Sequence, residues 1–353
     1  MTIDRNSTKR IYVGNVPIGD GAPISIQSMT NTSTKDVVST IRQIHSLEEA
    51  GCDIVRISLP DIKSLHALPE IKKEVNIPII ADIHFDHKIA IGAMEAGVDG
   101  IRINPGNIGG ERKLSEIAKV AIERKTPIRV GVNLGSIKRA IFNKFGHDST
   151  GALIESARQD VSMFEDMGVE AIKVSLKSSD VIETINAYRG FAKISSWPLH
   201  IGVTEAGTLF SGAIRSSIAL GILLFEGIGD TIRISLSADP VKEVIAGKIL
   251  LESMGLKDEG IRVIACPMCA RANADIASIA SEVEEATSGI KTHMIVAIMG
   301  CVVNGPGEAR QADIGIACDK NGAVMFVHGK PIRRVETSEI VRSLIEQVKR
   351  ESR

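Results

Sequence analysis

The chain has 353 residues, 44% of them hydrophobic, and a formal net charge of −1. That length allows one large domain and one small one, and the balanced charge leaves no global basic field to hold a polyanion. Aromatic residues are only 3% of the chain, which argues against base-stacking recognition of nucleic acid.

Met1 to Arg10 is polar and lacks the apolar stretch of an export signal. No run approaches the roughly 18 apolar residues of a membrane span. The expectation is a cytoplasmic protein with neither a membrane nor a nucleic-acid partner. The cysteines are Cys52, Cys266, Cys269, Cys301 and Cys318. An odd count with one Cys-x-x-Cys pair and no export signal reads as metal or redox chemistry in a reducing compartment.

Ile11-Tyr12-Val13 and Val16-Pro17-Ile18 read as a short hairpin. One unit then repeats: a short Ile/Val-rich run followed by an amphipathic stretch ending in Gly or Pro. The predicted strands are Ile24–Met29, Ile54–Leu59, Ile77–His84, Gly100–Asn104, Ile128–Asn133, Ala171–Leu176, Leu199–Thr204 and Thr231–Leu236. Helical patterns such as Val37–Ala50, Leu114–Arg124, Ile154–Met167 and Ala213–Phe225 lie between them. Eight such units predict an α/β fold, a (β/α)8 barrel over residues 1–254. A doubly wound open sheet is the alternative, but it would normally carry a Gly-rich turn after its first strand. Here that strand ends Gln27-Ser28-Met29-Thr30-Asn31. Residues 255–260 read as a linker, and 261–353 as a smaller α+β domain. Its predicted strands are Ile261–Ala265, Lys291–Met299, Asp313–Ala317 and Ala323–His328, with helices over Asn273–Glu285 and Ser338–Arg350.

Parallel barrel strands are covered on both faces and should read as continuous apolar sequence. These do not. Arg56 and Ser58 are two apart, as are Asp82 and His84, Arg102 and Asn104, Lys173 and Ser175, and Arg233 and Ser235. Arg129 lies four before Asn133, and His200 four before Thr204. Each pair falls on one face of its strand, near the C-terminal end where barrel enzymes build their sites. Any one arginine could be a satisfied ion pair. Together, Arg56, Arg102, Arg129, Lys173 and Arg233 outnumber the two carboxylates expected as partners, Asp82 and Glu205. A bound polyanion would balance them, and the guanidinium fork suits phosphate. The expected substrate is small and carries phosphate or diphosphate.

Cys266-Pro267-Met268-Cys269 and Cys301 form a second constellation. Two thiols with two residues between them can reach one metal centre. A closed zinc site would need a fourth ligand, for which Cys318, Cys52 and His293 are available; an iron–sulfur cluster with one atypical iron is the other reading. Cys52 and Cys318 read as small buried hydrophobes.

Met29-Thr30-Asn31-Thr32, Arg102-Ile103-Asn104-Pro105-Gly106, Gly202-Val203-Thr204-Glu205-Ala206-Gly207, Cys266-Pro267-Met268-Cys269 and Gly300-Cys301-Val302-Val303-Asn304-Gly305-Pro306-Gly307-Glu308 resemble motifs of the bacterial 4-hydroxy-3-methylbut-2-enyl diphosphate synthase family. Ala270 departs from the Gly or Ser often found there. The resemblance implies an oxidoreductase of isoprenoid biosynthesis that reductively opens 2-C-methyl-D-erythritol 2,4-cyclodiphosphate with two electrons and loss of water. It implies a [4Fe-4S] cluster held by Cys266, Cys269, Cys301 and Glu308, with flavodoxin or ferredoxin as electron donor. It puts diphosphate contacts on Arg56, His84, Arg102, Arg129, Asn133, Lys173 and Ser235, and a proton-donor role on Glu205.

Chain geometry adds an expectation about assembly. In a β/α barrel the eighth helix, about Val241–Met254, ends at the face opposite the active site. The six-residue link after it spans at most about 20 Å, and the helical ring alone is roughly 20–25 Å tall. The second domain could hardly climb its own barrel and also cap it. A head-to-tail homodimer follows, with each cysteine domain closing the partner's barrel, as the resemblance also implies.

Overall fold

Short apolar runs broken by Asp-capped helices build the first part of the chain. The computed structural model describes residues 3–303 and 305–352; Asn304, inside the second cysteine motif, lies outside them. Strands β1 (Ile11–Val13) and β2 (Val16–Ile18) pair antiparallel, with Val13 opposite Val16. The turn between them needs Gly14, whose φ is +57°. Then come β3 (Ser25–Met29), β4 (Ile54–Ser58), β5 (Ile79–Asp82), β6 (Gly100–Ile103), β7 (Ile128–Asn133), β8 (Ile172–Lys177), β9 (His200–Ile201) and β10 (Thr231–Ile232).

These eight lie in the order β8-β7-β6-β5-β4-β3-β10-β9. A parallel bridge from Val174 in β8 to Leu199, just before β9, joins the two ends. The sheet therefore closes on itself, and the doubly wound alternative is excluded. Outward residues such as Ile57, Ile101, Val130 and Val174 are fully buried under helices. In the helix Glu111–Arg124, Leu114, Ile117, Ala118 and Ala121 make the covering stripe. Asp36, Asp61, Asp86, Asp148 and Asp180 each start a helix by accepting a backbone N–H. Strands β9 and β10 stop short of the expected Thr204 and Leu236.

The chain divides into two units at Lys257/Asp258. The second holds β11 (Ile261–Ala265), β12 (Met294–Met299), β13 (Ile314–Asp319), β14 (Gly322–Val327) and β15 (Lys330–Val335), in that order in one sheet. The first three are parallel and the last two antiparallel. Helices Ile276–Thr287 and Ile340–Glu351 cover one face through Ile279, Val283, Leu344 and Val348. A short helix, Gly305–Gln311, lies on the other, with Ala309 against Ala317 and Phe326. Strand β15 was not expected. Among the described residues no helix is long and apolar enough to cross a membrane.

Candidate active site

Strand register assembles the first part of the site. Asp82 is opposite Arg102, Arg102 opposite Arg129, and Arg129 opposite Lys173. Laterally paired residues share a face, so β5 to β8 contribute one row to the barrel interior. All four are buried. Asp82 is the anchor: its Oδ1 lies 3.1 Å from Arg102 Nη1, and its Oδ2 lies 3.6 Å from Arg56 Nε and 3.6 Å from His84 Nε2. Burial alone would raise its carboxyl, but Arg56 and Arg102 hold it down at about 2. Arg56 also donates to the Met29 thioether at 3.0 Å, and burial takes its guanidinium down to about 10.

The other cations are poorly compensated. Arg129 Nε and Nη1, Lys173 Nζ and both ring nitrogens of His200 are buried and find no hydrogen-bond partner among the described residues. Burial first, and neighbouring cations second, push Arg129, Lys173 and His200 well below their ordinary pKa values. The second carboxylate is Glu243, not the expected Glu205. Glu243 comes from the helix Pro240–Ser253, sits 3.4 Å from Arg233 Nε, and accepts from Ser28 Oγ at 2.9 Å and Leu236 N at 3.0 Å. Glu205 is exposed and makes no ion pair among the described residues.

Above this row the barrel opens into a cleft of about 320 Å³, lined among others by His84, Arg102, Asn104, Asn133, Lys177, Thr204 and Glu205. These residues sit at or just beyond the C-terminal ends of β5 to β9. Arg129 and Lys173 lie four residues before Asn133 and Lys177, one layer deeper. Arg56, also buried, does not line the cleft, nor does the half-buried Ser235. Glu205 holds a left-handed φ of +53°, a conformation that costs a non-glycine residue energy and is found at functional loops. Lys177 escaped the sequence reading. It is buried, and burial, then Arg129 and Arg233, push its ammonium well below the ordinary range. Its signal was the alternation Lys173-Ser175-Lys177, cut off because the strand was expected to end at Leu176. Six cations thus converge around two carboxylates, an excess of positive charge that suits an anion.

Cys266, Cys269 and Cys301 lie in the second unit. Cys266 follows β11 and donates its N–H to Ile298 O at 3.1 Å. Gly300 follows the neighbouring parallel strand β12 and donates its N–H to Cys266 Sγ at 3.1 Å. Asn273 N–H donates to Gly300 O at 2.9 Å, which ties the Cys266–Asn273 loop to the loop carrying Cys301. A Cβ at position 300 would press on Ile276 at 3.0 Å and Ala272 at 3.3 Å, so glycine lets the two loops pack this closely. Cys269 is exposed, and Glu308 is exposed on the helix Gly305–Gln311. Among the described residues no three His, Cys, Asp or Glu side chains converge on a metal position. Cys318, His293 and Cys52 are the candidates for a fourth zinc ligand. Cys318 lies in the core with its thiol pushed up to about 11 by burial, and His293 stands at the opposite end of β12. Cys52 belongs to the other unit, buried, its thiol pushed up to about 12 by burial. Both are buried hydrophobes, as expected.

The family model described as the GcpE TIM-barrel domain matches residues 8–248, and that of the GcpE protein C-terminal domain matches residues 262–350. The chain belongs to the GcpE family. The 4-hydroxy-3-methylbut-2-en-1-yl diphosphate synthase (flavodoxin) of Geobacter sulfurreducens, a relative in this family, is 49% identical over 97% of this chain and 97% of its own. That of Thermodesulfovibrio yellowstonii is 48% identical over 99% of this chain and 100% of its own. Yersinia pestis dihydropteroate synthase superposes on 70% of the chain and 100% of its own length, with a TM-score of 0.52 and 12% identity. At that identity the likeness is one of fold, shared by the GcpE barrel and a large class of (β/α)8 enzymes.

Proposed function

We propose that the buried cations of the barrel hold the diphosphate of 2-C-methyl-D-erythritol 2,4-cyclodiphosphate while its ring is reductively opened to (E)-4-hydroxy-3-methylbut-2-enyl diphosphate. The row Arg102–Arg129–Lys173 carries this reading, because cations without enough carboxylates are the complement of a diphosphate. Arg56, His84, Asn133 and Ser235 join it as substrate contacts. The residues act by charge and position: guanidinium groups fix both phosphates, and the desolvated surroundings strengthen each contact. The opening takes up two electrons and releases an oxygen as water, so that oxygen needs a proton. Glu205, at the mouth of the cleft, is the proposed source.

Cys266, Cys269 and Cys301 would hold a [4Fe-4S] cluster, with the Glu308 carboxylate as fourth ligand. Three sulfurs, one of them receiving a backbone N–H, and a harder carboxylate fit that group. When bound, the cluster would supply electrons one at a time and a Lewis-acidic iron. Flavodoxin or ferredoxin is the proposed electron donor, in the cytoplasm. Each site would be completed in trans, by the cysteine unit of a second copy, because the link between the units is short.

The test is a set of anaerobically purified variants. Cys266→Ala, Cys269→Ala and Cys301→Ala should each lose the brown colour and bound iron while Cys52→Ala and Cys318→Ala keep both. Iron lost in Cys318→Ala would remove Glu308 from the ligand set. A colourless wild-type protein containing zinc would overturn the redox reading altogether.

A further inference from the structure

We propose that strand β15, with Arg310 and the β13–β14 turn beside it, is the docking surface for the protein that delivers electrons, which binds there through an acidic face. Strand β15 is a free edge of the second unit's sheet. It presents Lys330, Arg333 and Arg334, all exposed. Two further cations come from other elements. Exposed Lys320 sits in the β13–β14 turn, and the Arg310 guanidinium lies 5.8 Å over the Phe326 ring. Asp319 is gripped by Arg334, with both carboxylate oxygens at 2.8 Å. Arg310, Lys320, Lys330 and Arg333 make no ion pair among the described residues.

Blunting an edge strand against stray pairing accounts for Lys330 and Pro331. It does not account for Arg310 and Lys320, which lie off the strand, or for Ile332, which is 49% exposed between the cations. An apolar centre rimmed by unpaired charge is the anatomy of a binding surface. The charge is also segregated. Helix Ile276–Thr287, on the opposite face of the sheet from Arg310, carries exposed Glu282, Glu284 and Glu285 and no Lys or Arg. The other free edge, β11, has Arg262 as its one charged residue. One side of the unit therefore attracts an acidic protein and another repels it, which orients an encounter as well as speeding it. Position completes the argument. Strands β11, β12 and β13 are parallel, so Cys266, Gly300 and the Lys320 turn lie at one end of the sheet. Strand β15 is three strands from β12, about 14 Å. In the trans reading the cysteine loops face a barrel, which leaves a carrier to approach from the side. The inference rests on the redox reading of those cysteines.

Steady-state turnover of the anaerobic full-length protein tests this with two reductants. One is a photoreduced bacterial flavodoxin, which must dock; the other is dithionite with methyl viologen, which need not. In Lys320→Glu/Arg333→Glu the KM for flavodoxin should rise roughly tenfold or more, with iron content and viologen-driven turnover unchanged. Added salt should raise the wild-type KM and barely move that of the variant. Glu282→Lys/Glu285→Lys, on the acidic helix, should leave the KM as it was. Should charge reversal disturb folding, Lys320→Gln/Arg333→Gln should still raise it, by about threefold. An unchanged KM in a folded variant overturns the docking surface. Equal loss with both reductants also overturns it, and gives the patch to the fold or to a second copy of the chain. A wild-type protein driven by viologen but by neither flavodoxin nor ferredoxin overturns the proposed donor and the docking surface together. A colourless one overturns the redox reading beneath them.

Discussion

Arg129 occupies a place where a guanidinium weakens the fold that contains it. Two of its nitrogens are buried without hydrogen-bond partners among the described residues, and Arg56 and Arg102 crowd it. Such a residue opposes the ligand-free state and favours an anion complex. Arg129→Met is therefore expected to raise the melting temperature of the ligand-free protein by roughly 2–6 °C. The same change, like Arg102→Ala, should weaken substrate binding by about 2–4 kcal/mol with iron content unchanged. Scanning and titration calorimetry read the two effects; unchanged affinity in both variants would move the diphosphate elsewhere. A second buried charge sets a pH dependence. Asp160, on the helix Ser149–Asp166, has its carboxyl pushed up to about 6 by burial, with Lys138 pulling the other way. Between about pH 4 and pH 6 the folded chain holds a proton that the unfolded chain releases. Stability falls as pH rises through that window, and the penalty persists above it. Asp160→Asn should add about 1–3 kcal/mol at pH 7.5 and nothing below pH 4, measured by denaturant unfolding. Equal gains at both pH values would mean packing, not charge.

Elements with an inside were legible in the sequence; elements at an edge were not. The Ile/Val runs of β4, β6 and β7 and the helix stripes between them exist because both faces are covered, so their burial is written as hydrophobic spacing. Strand β15 reads Lys-Pro-Ile-Arg-Arg-Val and is exposed along most of its length. Edge strands carry charge and proline to avoid pairing with other chains, which removes the signal that marks a strand. Glu243 was missed for the opposite reason. It sits in the buried stripe Pro240, Glu243, Val244, Gly247, Leu250, Leu251, and a carboxylate there could have been flagged as a buried partner for a strand cation. The short helix Gly305–Gln311 was hidden by its Gly and Pro content, and its docking depends on Gly315 across the sheet. A Cβ at that position would lie 2.6 Å from Ala309 O. Gly315→Ala should cost about 1–3 kcal/mol and lower iron retention, because Glu308 rides on the displaced helix. Gly289→Ala, with open space around its Cβ, is the matched control. Full iron in Gly315→Ala would show that the helix need not be seated.

At the scale of the molecule, the buried cations and the cysteines Cys266, Cys269 and Cys301 belong to different units of one chain. Mixed dimers exploit that separation. Arg102→Ala and Cys266→Ala chains, each inactive alone, are dissociated, mixed and reassembled. With the site completed in trans, random pairing should restore about a quarter of wild-type activity; verified mixed dimers without activity would return the site to a single chain. The same partition bears on damage by oxygen. Every cation of the row lies before residue 258, so with the site completed in trans, oxidised cysteine loops in one chain would leave the partner's barrel gripping a metabolite it can no longer reduce. Injured molecules would then act as a sponge, withholding substrate from intact ones until the cluster is rebuilt or the chain is degraded.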